Sequence, residues 1–450
     1  MDANQALVGE EVNMKRTLLN ALMIWKNQPV RKPLLIDGAR QTGKTFLLQE
    51  LFGQTFTNTL RIDFLENPLY KEAFEGSLSP DELIINIELI AEQRFNPETD
   101  LLILDEIGEC ERAVTSLKYF AEKAPSYFVA ASGSNIGLLN TFPVGKVEQY
   151  YLTPLTFQEF LYASEESTLI KAFDTQVNTA TVHNKLLGKF TDYLFTGGMP
   201  EAVDAWYQFK DLGILERVEK VTKIHSDLVA GYRRDFGKYA GKVNAALIES
   251  VFNSIPTQLS LVIDESVKRF KFKNIYERKS RYTDFEKAIH WLLRCRLALA
   301  NYPIEGKPKT PLAAYKKDNM VKLFLFDVGL LNHMLGNSYK KIKQQKDEYK
   351  GYVAENFAQQ AFTAMGIDPT YSWNDARAEV EFIVTNDDGA VIPIEVKSGK
   401  RTRAKSLASY IEKCAPSKTF KLTGTQGSPA SEKTHIVMPL YYIQYLFNKW

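Results

Sequence analysis

The run GARQTGKT, Gly38 to Thr45, sets two glycines, a lysine and a hydroxyl at the spacing G-x-x-x-x-G-K-[ST]. That pattern suits the holding of a polyphosphate. A triphosphate is a dense anion. Backbone N–H groups from a tight turn through Gly38, Ala39, Arg40, Gln41, Thr42 and Gly43, together with the helix N-terminus behind it, can wrap such an anion without a desolvated side chain. Lys44 is expected to reach the β- and γ-phosphates, and the Thr45 hydroxyl to ligate Mg²⁺. Further along, LLILDE delivers Asp105 and Glu106 to the end of an apolar run. Asp105 is placed to hold Mg²⁺, directly or through water, and Glu106 to polarise a water for attack on the γ-phosphate. YFVAASGSN adds Ser132, Ser134 and Asn135, and Asn135 is the candidate for contact with the γ-phosphate or the attacking water. The implied cofactors are ATP and Mg²⁺.

A second constellation lies near the C-terminus. EVEFIVTNDDGAVIPIEVKSG reads as a hairpin turning on Asp387-Asp388-Gly389, with glycine in the left-handed position. That register sets Glu381 opposite Glu395 and Glu379 opposite Lys397, all on one face. Opposed carboxylates are unfavourable unless a cation or a proton sits between them. A divalent metal is one candidate, with Lys397 orienting water or stabilising a phosphate. The following Lys400, Arg401, Arg403 and Lys405 suit a phosphate backbone or a solvated helix start.

The elements that must carry the first site alternate. Strands are expected at 34–37, 59–64, 101–105, 127–131 and 147–152, and helices at 44–52, 83–95 and 116–123. Such alternation gives a parallel sheet with helices on both faces. Helical periodicity then dominates 161–240, broken by TGGMP at Thr196–Pro200. Three short helices, 243–252, 259–270 and 284–300, lead to a strand at 320–326, an order like that of a winged helix-turn-helix. Their connector, Lys268 to Tyr282, interleaves seven basic residues and one acid with Phe270, Phe272, Tyr276 and Tyr282. It is a candidate phosphate-neutralising surface, or a solvated face with aromatic anchors.

The length of 450 residues suits about three domains. Residues 1–150 hold 14 Lys/Arg against 21 Asp/Glu, a balance of −7, and the remainder hold 42 against 33, a balance of +9. An acidic nucleotide module joined to a basic remainder favours a polyanionic partner for the latter. Cys110, Cys295 and Cys414 lie far apart and argue against zinc or a disulfide framework. The five histidines are scattered and read as structural. The N-terminal residues lack the apolar core of a signal peptide, and no run is long enough to span a bilayer, so the cytoplasm is the expected compartment.

LLIDGARQTGKT, LLILDE, FVAASGSN and LTPLTFQEF resemble the prokaryotic AAA-type P-loop ATPases that carry a helical region and a C-terminal domain of unknown function. FTGGMPEAV, YRRDFGKY, LFLFDVGLL and GYVAENF fit the same series. The resemblance implies an α/β P-loop core with a doubly wound parallel sheet at 1–160, a helical lid at 161–242, a winged-helix-like domain at 243–340 and a small α/β domain at 341–450. An arginine of the lid, Arg233 or Arg234, would reach the γ-phosphate from the same chain or a neighbour. The last domain resembles the PD-(D/E)XK nuclease core. Glu395-Val396-Lys397 would be its E-x-K, Glu355 the helix-borne acid, and Glu381 stands where that pattern has Asp. Three functions follow: an ATPase that acts on nucleic acid such as DNA, a nucleotide-dependent switch that binds a protein partner or itself with its nuclease-like domain inactive, or a metal-dependent nuclease gated by ATP.

Overall fold

The computed structural model describes residues 14–134, 136–139, 142–210, 212–240, 242–261, 269–317, 319–344, 351–375, 378–397, 405–427 and 433–446. Packing divides the chain into two compact units, one of Arg16–Thr153 with Arg294–Arg296, the other of Pro154–Leu293 and Leu297–Trp450 with the first residues.

The first unit is a five-stranded parallel sheet in the order β2-β3-β4-β1-β5. Its strands are β1 Leu34–Asp37, β2 Thr59–Asp63, β3 Leu101–Asp105, β4 Phe128–Gly133 and β5 Glu148–Tyr151. Alternate residues feed two separate cores. Leu35, Ile62, Leu102 and Leu104 pack with the helices Pro80–Ala91 and Glu111–Lys123. Leu34, Ile36, Leu101 and Ile103 pack with Leu22, Trp25, Leu47, Leu48 and Phe52. A sheet apolar on both faces needs such double cover, so the strands read as continuous hydrophobic runs. The expected helix 44–52 is α-helical only over Lys44–Phe46 and widens to a π-helix over Leu47–Phe52. Leu47, Leu48 and Phe52 of this segment are all buried in one core.

The second unit opens with the helices Phe157–Tyr162, Ser167–Asp174, Ala180–Thr196, Pro200–Gln208 and Ile214–Ala240. The expected helices 243–252 and 259–270 are instead one helix, Lys242–Leu261, with Pro256 inside it. An interior proline costs about 3 kcal/mol. The apolar face of Ile248, Val251, Phe252, Ile255 and Leu259 is buried on both sides of it, which outweighs that cost. Residues 262–268, including Lys268, lie outside the described residues. The third expected helix stops at Arg294, and Ala298 starts a strand.

That strand, β6 Ala298–Glu305, joins β7 Lys322–Leu325, β8 Thr370–Asp375, β9 Ala378–Thr385, β10 Val391–Val396, β11 Thr419–Thr423 and β12 His435–Pro439 in one mixed sheet, ordered β12-β11-β10-β9-β8-β6-β7. The sheet crosses the boundary expected at 340/341, because β6 pairs in parallel with β8. The β9–β10 hairpin has the register read from sequence: Ile392 faces Val384, Ile394 faces Phe382, and Gly389 takes φ +78°.

Two motifs of this unit meet at Asp327, which is fully buried. Its carboxylate accepts hydrogen bonds from Gly198 N at 2.7 Å and Leu330 N at 2.9 Å. Gly197 has φ +69°, and a Cβ there would lie 2.2 Å from Asp327 Oδ1, so FTGGMP and FDVGLL fit only with glycine at this point. Burial pushes the Asp327 carboxyl up to about 6, the backbone N–H groups of Gly198, Leu330 and Gly329 opposing. Nearby, buried His225 donates from Nε2 to Thr196 O at 3.0 Å, and burial drives its imidazole down to about 4.

Candidate nucleotide and acid–lysine sites

The loop between β1 and the helix at Lys44 is built to leave its amides at the surface of a tight bend. A Cβ on Gly38 would come within 2.3 Å of the Leu152 carbonyl oxygen, so no other residue fits. Gly43 takes φ +87° and Gln41 φ +66°, both in the left-handed region. The Thr42 hydroxyl donates to Ala39 O at 2.9 Å and ties the bend across itself. Arg16, which sequence reasoning missed, is buried and braces the bend from outside. It donates to Thr42 O at 3.0 Å and to Thr153 O at 2.6 Å. Its signal was weak: a lone arginine ahead of an amphipathic helix.

Lys44 is 6 % exposed, and its ammonium donates to Gly38 O at 3.0 Å and Ala39 O at 2.9 Å. Burial pulls its pKa below the lysine range, and the charges of Glu106, Asp37 and Asp105 oppose that. The Thr45 hydroxyl donates to Asp105 Oδ2 at 2.8 Å, joining the loop to the end of β3. Asp105 is 1 % exposed. Its Oδ1 accepts from Ser132 Oγ and, at 3.1 Å, from Glu106 N. Glu106 sits at φ +48°, a conformation that costs a non-glycine residue about 1–3 kcal/mol and turns its side chain away from the line of the strand. Burial raises its carboxyl, with Lys44 opposing. Ser134 Oγ lies 3.4 Å from Glu106 Oε2 and accepts from Arg40 Nε at 3.3 Å. Asn135 lies outside the described residues. The structure therefore brings together Gly38 to Thr45, Asp105, Glu106, Ser132 and Ser134. Thr45 and Asp105 offer paired hard oxygens beside a lysine, a donor set that fits Mg²⁺. Sequence reasoning also missed Arg61 on β2, which donates to Asp105 Oδ2 from Nε at 3.1 Å and from Nη2 at 3.0 Å.

In the second unit Glu381 and Glu395 are buried side by side, as the hairpin register requires. Lys397 closes the pair: its ammonium is 2.9 Å from Glu381 Oε1 and 3.3 Å from Glu395 Oε1. Val396 N donates to Glu381 Oε2 at 3.1 Å. Burial raises the Glu395 carboxyl, while Lys397 and, more weakly, Lys421 of the neighbouring β11 oppose. Glu355, on the helix Gly351–Ala364, is ion-paired with Lys322 of β7. On its β8 side Glu379 faces Asn374 in the ladder, and the Lys397 ammonium donates to Glu381 Oε1 at 2.9 Å. Among the described residues no three His, Cys, Asp or Glu side chains gather as a metal cluster. Lys400, Arg401 and Arg403 lie outside the described residues. Arg233 is engaged within its own unit, donating to Asn253 Oδ1 at 2.8 Å. Among the described residues no helix is long and apolar enough to cross a membrane.

Comparison with known proteins divides the chain in the same sense. Residues 30–161 match the model of an AAA domain, residues 187–341 a domain of unknown function (DUF8612), and residues 350–443 another domain of unknown function (DUF4143). No curated protein matches. Among solved structures, a Signal Transduction ATPase with Numerous Domains carrying a tetratricopeptide repeat sensor, from Pyrococcus horikoshii, is 12 % identical over 79 % of this chain and 46 % of its own, with a TM-score of 0.28. This chain thus spans about half the length of that protein. The Drosophila ORC bound to DNA is 12 % identical over 71 % of this chain and 84 % of its own, with a TM-score of 0.25. Similarity that low carries no argument about function. The first unit is an α/β P-loop module of the AAA type, followed by two regions of unknown function.

Proposed function

We propose that the chain is a Mg²⁺-dependent ATPase whose nucleotide state governs a nucleic-acid-binding second unit. The observation that carries the first half is the 2.8 Å contact of Thr45 with Asp105 beside a buried Lys44. In this reading the amides of Gly38 to Thr45 cradle the β- and γ-phosphates, Lys44 leaves its backbone carbonyls for phosphate oxygens, and Thr45 and Asp105 hold Mg²⁺. Bound there, Mg²⁺ would neutralise the charge that develops on the phosphates. Glu106, its carboxyl raised by burial, takes the proton of the attacking water, a role that suits a base whose pKa lies nearer neutrality. Asn135 would steady that water.

The nucleic-acid half rests on the stretch from Arg269 to Tyr282. Arg269, Lys271, Lys273, Arg278, Lys279 and Arg281 stand there against one acid, Glu277. Two of its aromatic residues are anchors: Phe272 stacks on Phe285 with centroids 5.7 Å apart, and Phe270 is buried, while Tyr276 is exposed. The cations therefore flank an anchored pair of aromatic rings and suit phosphate contact. For the acid–lysine cluster we propose a structural role without cleavage, because Lys397 bridges both carboxylates and among the described residues no third acid joins them.

The test is ATP hydrolysis with and without duplex DNA, wild type against Glu106→Gln, joined to DNA binding over a salt series. Stimulation by DNA and a salt slope that falls by about one for each of Lys273→Ala and Lys279→Ala support the reading. Hydrolysis indifferent to DNA, with no salt-dependent binding, overturns its second half in favour of a switch that binds a protein.

A further inference from the structure

The carboxylate that the nucleotide site needs for its metal is already engaged. β2 and β3 pair so that Asp63 lies beside Asp105, two acids on one face at adjacent strand ends. Such a pair requires a cation. Arg61, two residues before Asp63 and on the same face, supplies it. Its Nε and Nη2 both donate to Asp105 Oδ2, at 3.1 and 3.0 Å. This is the oxygen that accepts from the Thr45 hydroxyl at 2.8 Å. Asp105 Oδ1 is held meanwhile by Ser132 and Glu106 N. Every lone-pair direction of the carboxylate is thus in use, and the guanidinium covers the atom that lies between Asp105 and Thr45.

We propose that Arg61 is an internal counter-ion that competes with the divalent cation for Asp105 and so sets the Mg²⁺ concentration at which the site fills. The inference rests on the nucleotide-site reading above. A guanidinium cannot lose its proton. It must therefore move aside, or the incoming cation must bind against its positive charge at close range. The structure provides a place to move to. Nη2 already touches Asp63, and Nη1 lies 3.4 Å from Glu66, whose side chain is 73 % exposed. Arg61 can release Asp105 by a side-chain rotation and keep two carboxylates as partners. Arg61 in this role is a positioning residue: it acts through Asp105 and does not touch the phosphates.

The test is the Mg²⁺ dependence of binding of a fluorescent ATP analogue at fixed nucleotide, with binding in EDTA as the baseline. Arg61→Gln is expected to lower the Mg²⁺ midpoint about tenfold, Arg61→Lys to stay near wild type, and Asp63→Asn to raise the midpoint by removing the alternative seat. Arg61→Gln with an unchanged or raised midpoint and a wild-type melting curve overturns the proposal. If Arg61→Gln fails to fold, Asp63→Asn decides, and a midpoint that does not rise overturns it. Loss of nucleotide binding in the wild type would sink the P-loop reading alone. Mn²⁺ titration of the nucleotide-free chain, followed by electron paramagnetic resonance, then reads the same competition. Tighter Mn²⁺ binding by Arg61→Gln supports it, and equal or absent binding overturns it.

Discussion

The molecule holds two sites where carboxylates meet a lysine, and they differ in what the lysine does. At the nucleotide loop Lys44 donates to two backbone carbonyls, Gly38 O and Ala39 O, partners that a phosphate can replace. At the hairpin Lys397 lies between Glu381 and Glu395, charged partners fixed in the fold, with Lys421 adding a weaker positive charge beside Glu395. One lysine is parked and the other is structural. A motif of acids and lysine therefore says little until the partner of the ammonium is known.

The largest effect should come from Lys44→Ala. Loss of the ammonium is expected to reduce ATP hydrolysis by about 10²–10³-fold, with the melting temperature in the absence of nucleotide nearly unchanged; phosphate release and thermal unfolding together check both. A variant as active as wild type would mean that Lys44 is not parked for a ligand at all. Gly38→Ala should weaken nucleotide binding by about a hundredfold, since the added Cβ collides with the backbone carbonyl of Leu152; calorimetric titration with ATP measures it. At the other site the expectation reverses. Lys397→Ala should leave hydrolysis intact and destabilise the second unit by about 1–3 kcal/mol, read by urea unfolding, and pairing it with Glu395→Gln should restore part of that loss.

The smallest effect is one of pH. Asp327, raised from 3.8 to about 6, contributes stability that is complete below 3.8 and lost as pH rises through about 6. His225, lowered from 6.5 to about 4, contributes stability complete above 6.5 and lost as pH falls through about 4. The two slopes oppose each other across their shared window. Asp327→Asn should make the chain gain more stability between pH 4 and 6 than wild type does, and His225→Asn should do the opposite. Urea midpoints at pH 4, 5 and 6 that shift in parallel for both variants would refute this.

Local chemistry was legible in the sequence, and long-range pairing was not. The phosphate loop, the acid at the end of β3 and the hairpin register each follow from patterns within a few residues, and the structure places them as those patterns require. The partners of the charged groups could not be read the same way. Arg61 on β2 reaches Asp105 on the neighbouring β3, Arg16 reaches Thr42 from before the first helix, and Lys322 on β7 reaches Glu355 on the helix Gly351–Ala364. The helix through Pro256 was hidden by the local preference of proline, which a buried face overrides. The strand from Ala298 occupies residues that read equally as a helix end, because a short apolar run fits either period.

The pairing of β6 with β8 has a consequence for how this chain can be cut or inherited. The gap between the two regions of unknown function, at residues 342–349, falls inside a single sheet. A fragment ending there would carry β6 with one hydrogen-bonding margin bare, an invitation to stick to other copies. In this chain a deletion that separated the two regions would divide the seven-stranded sheet between β6 and β8.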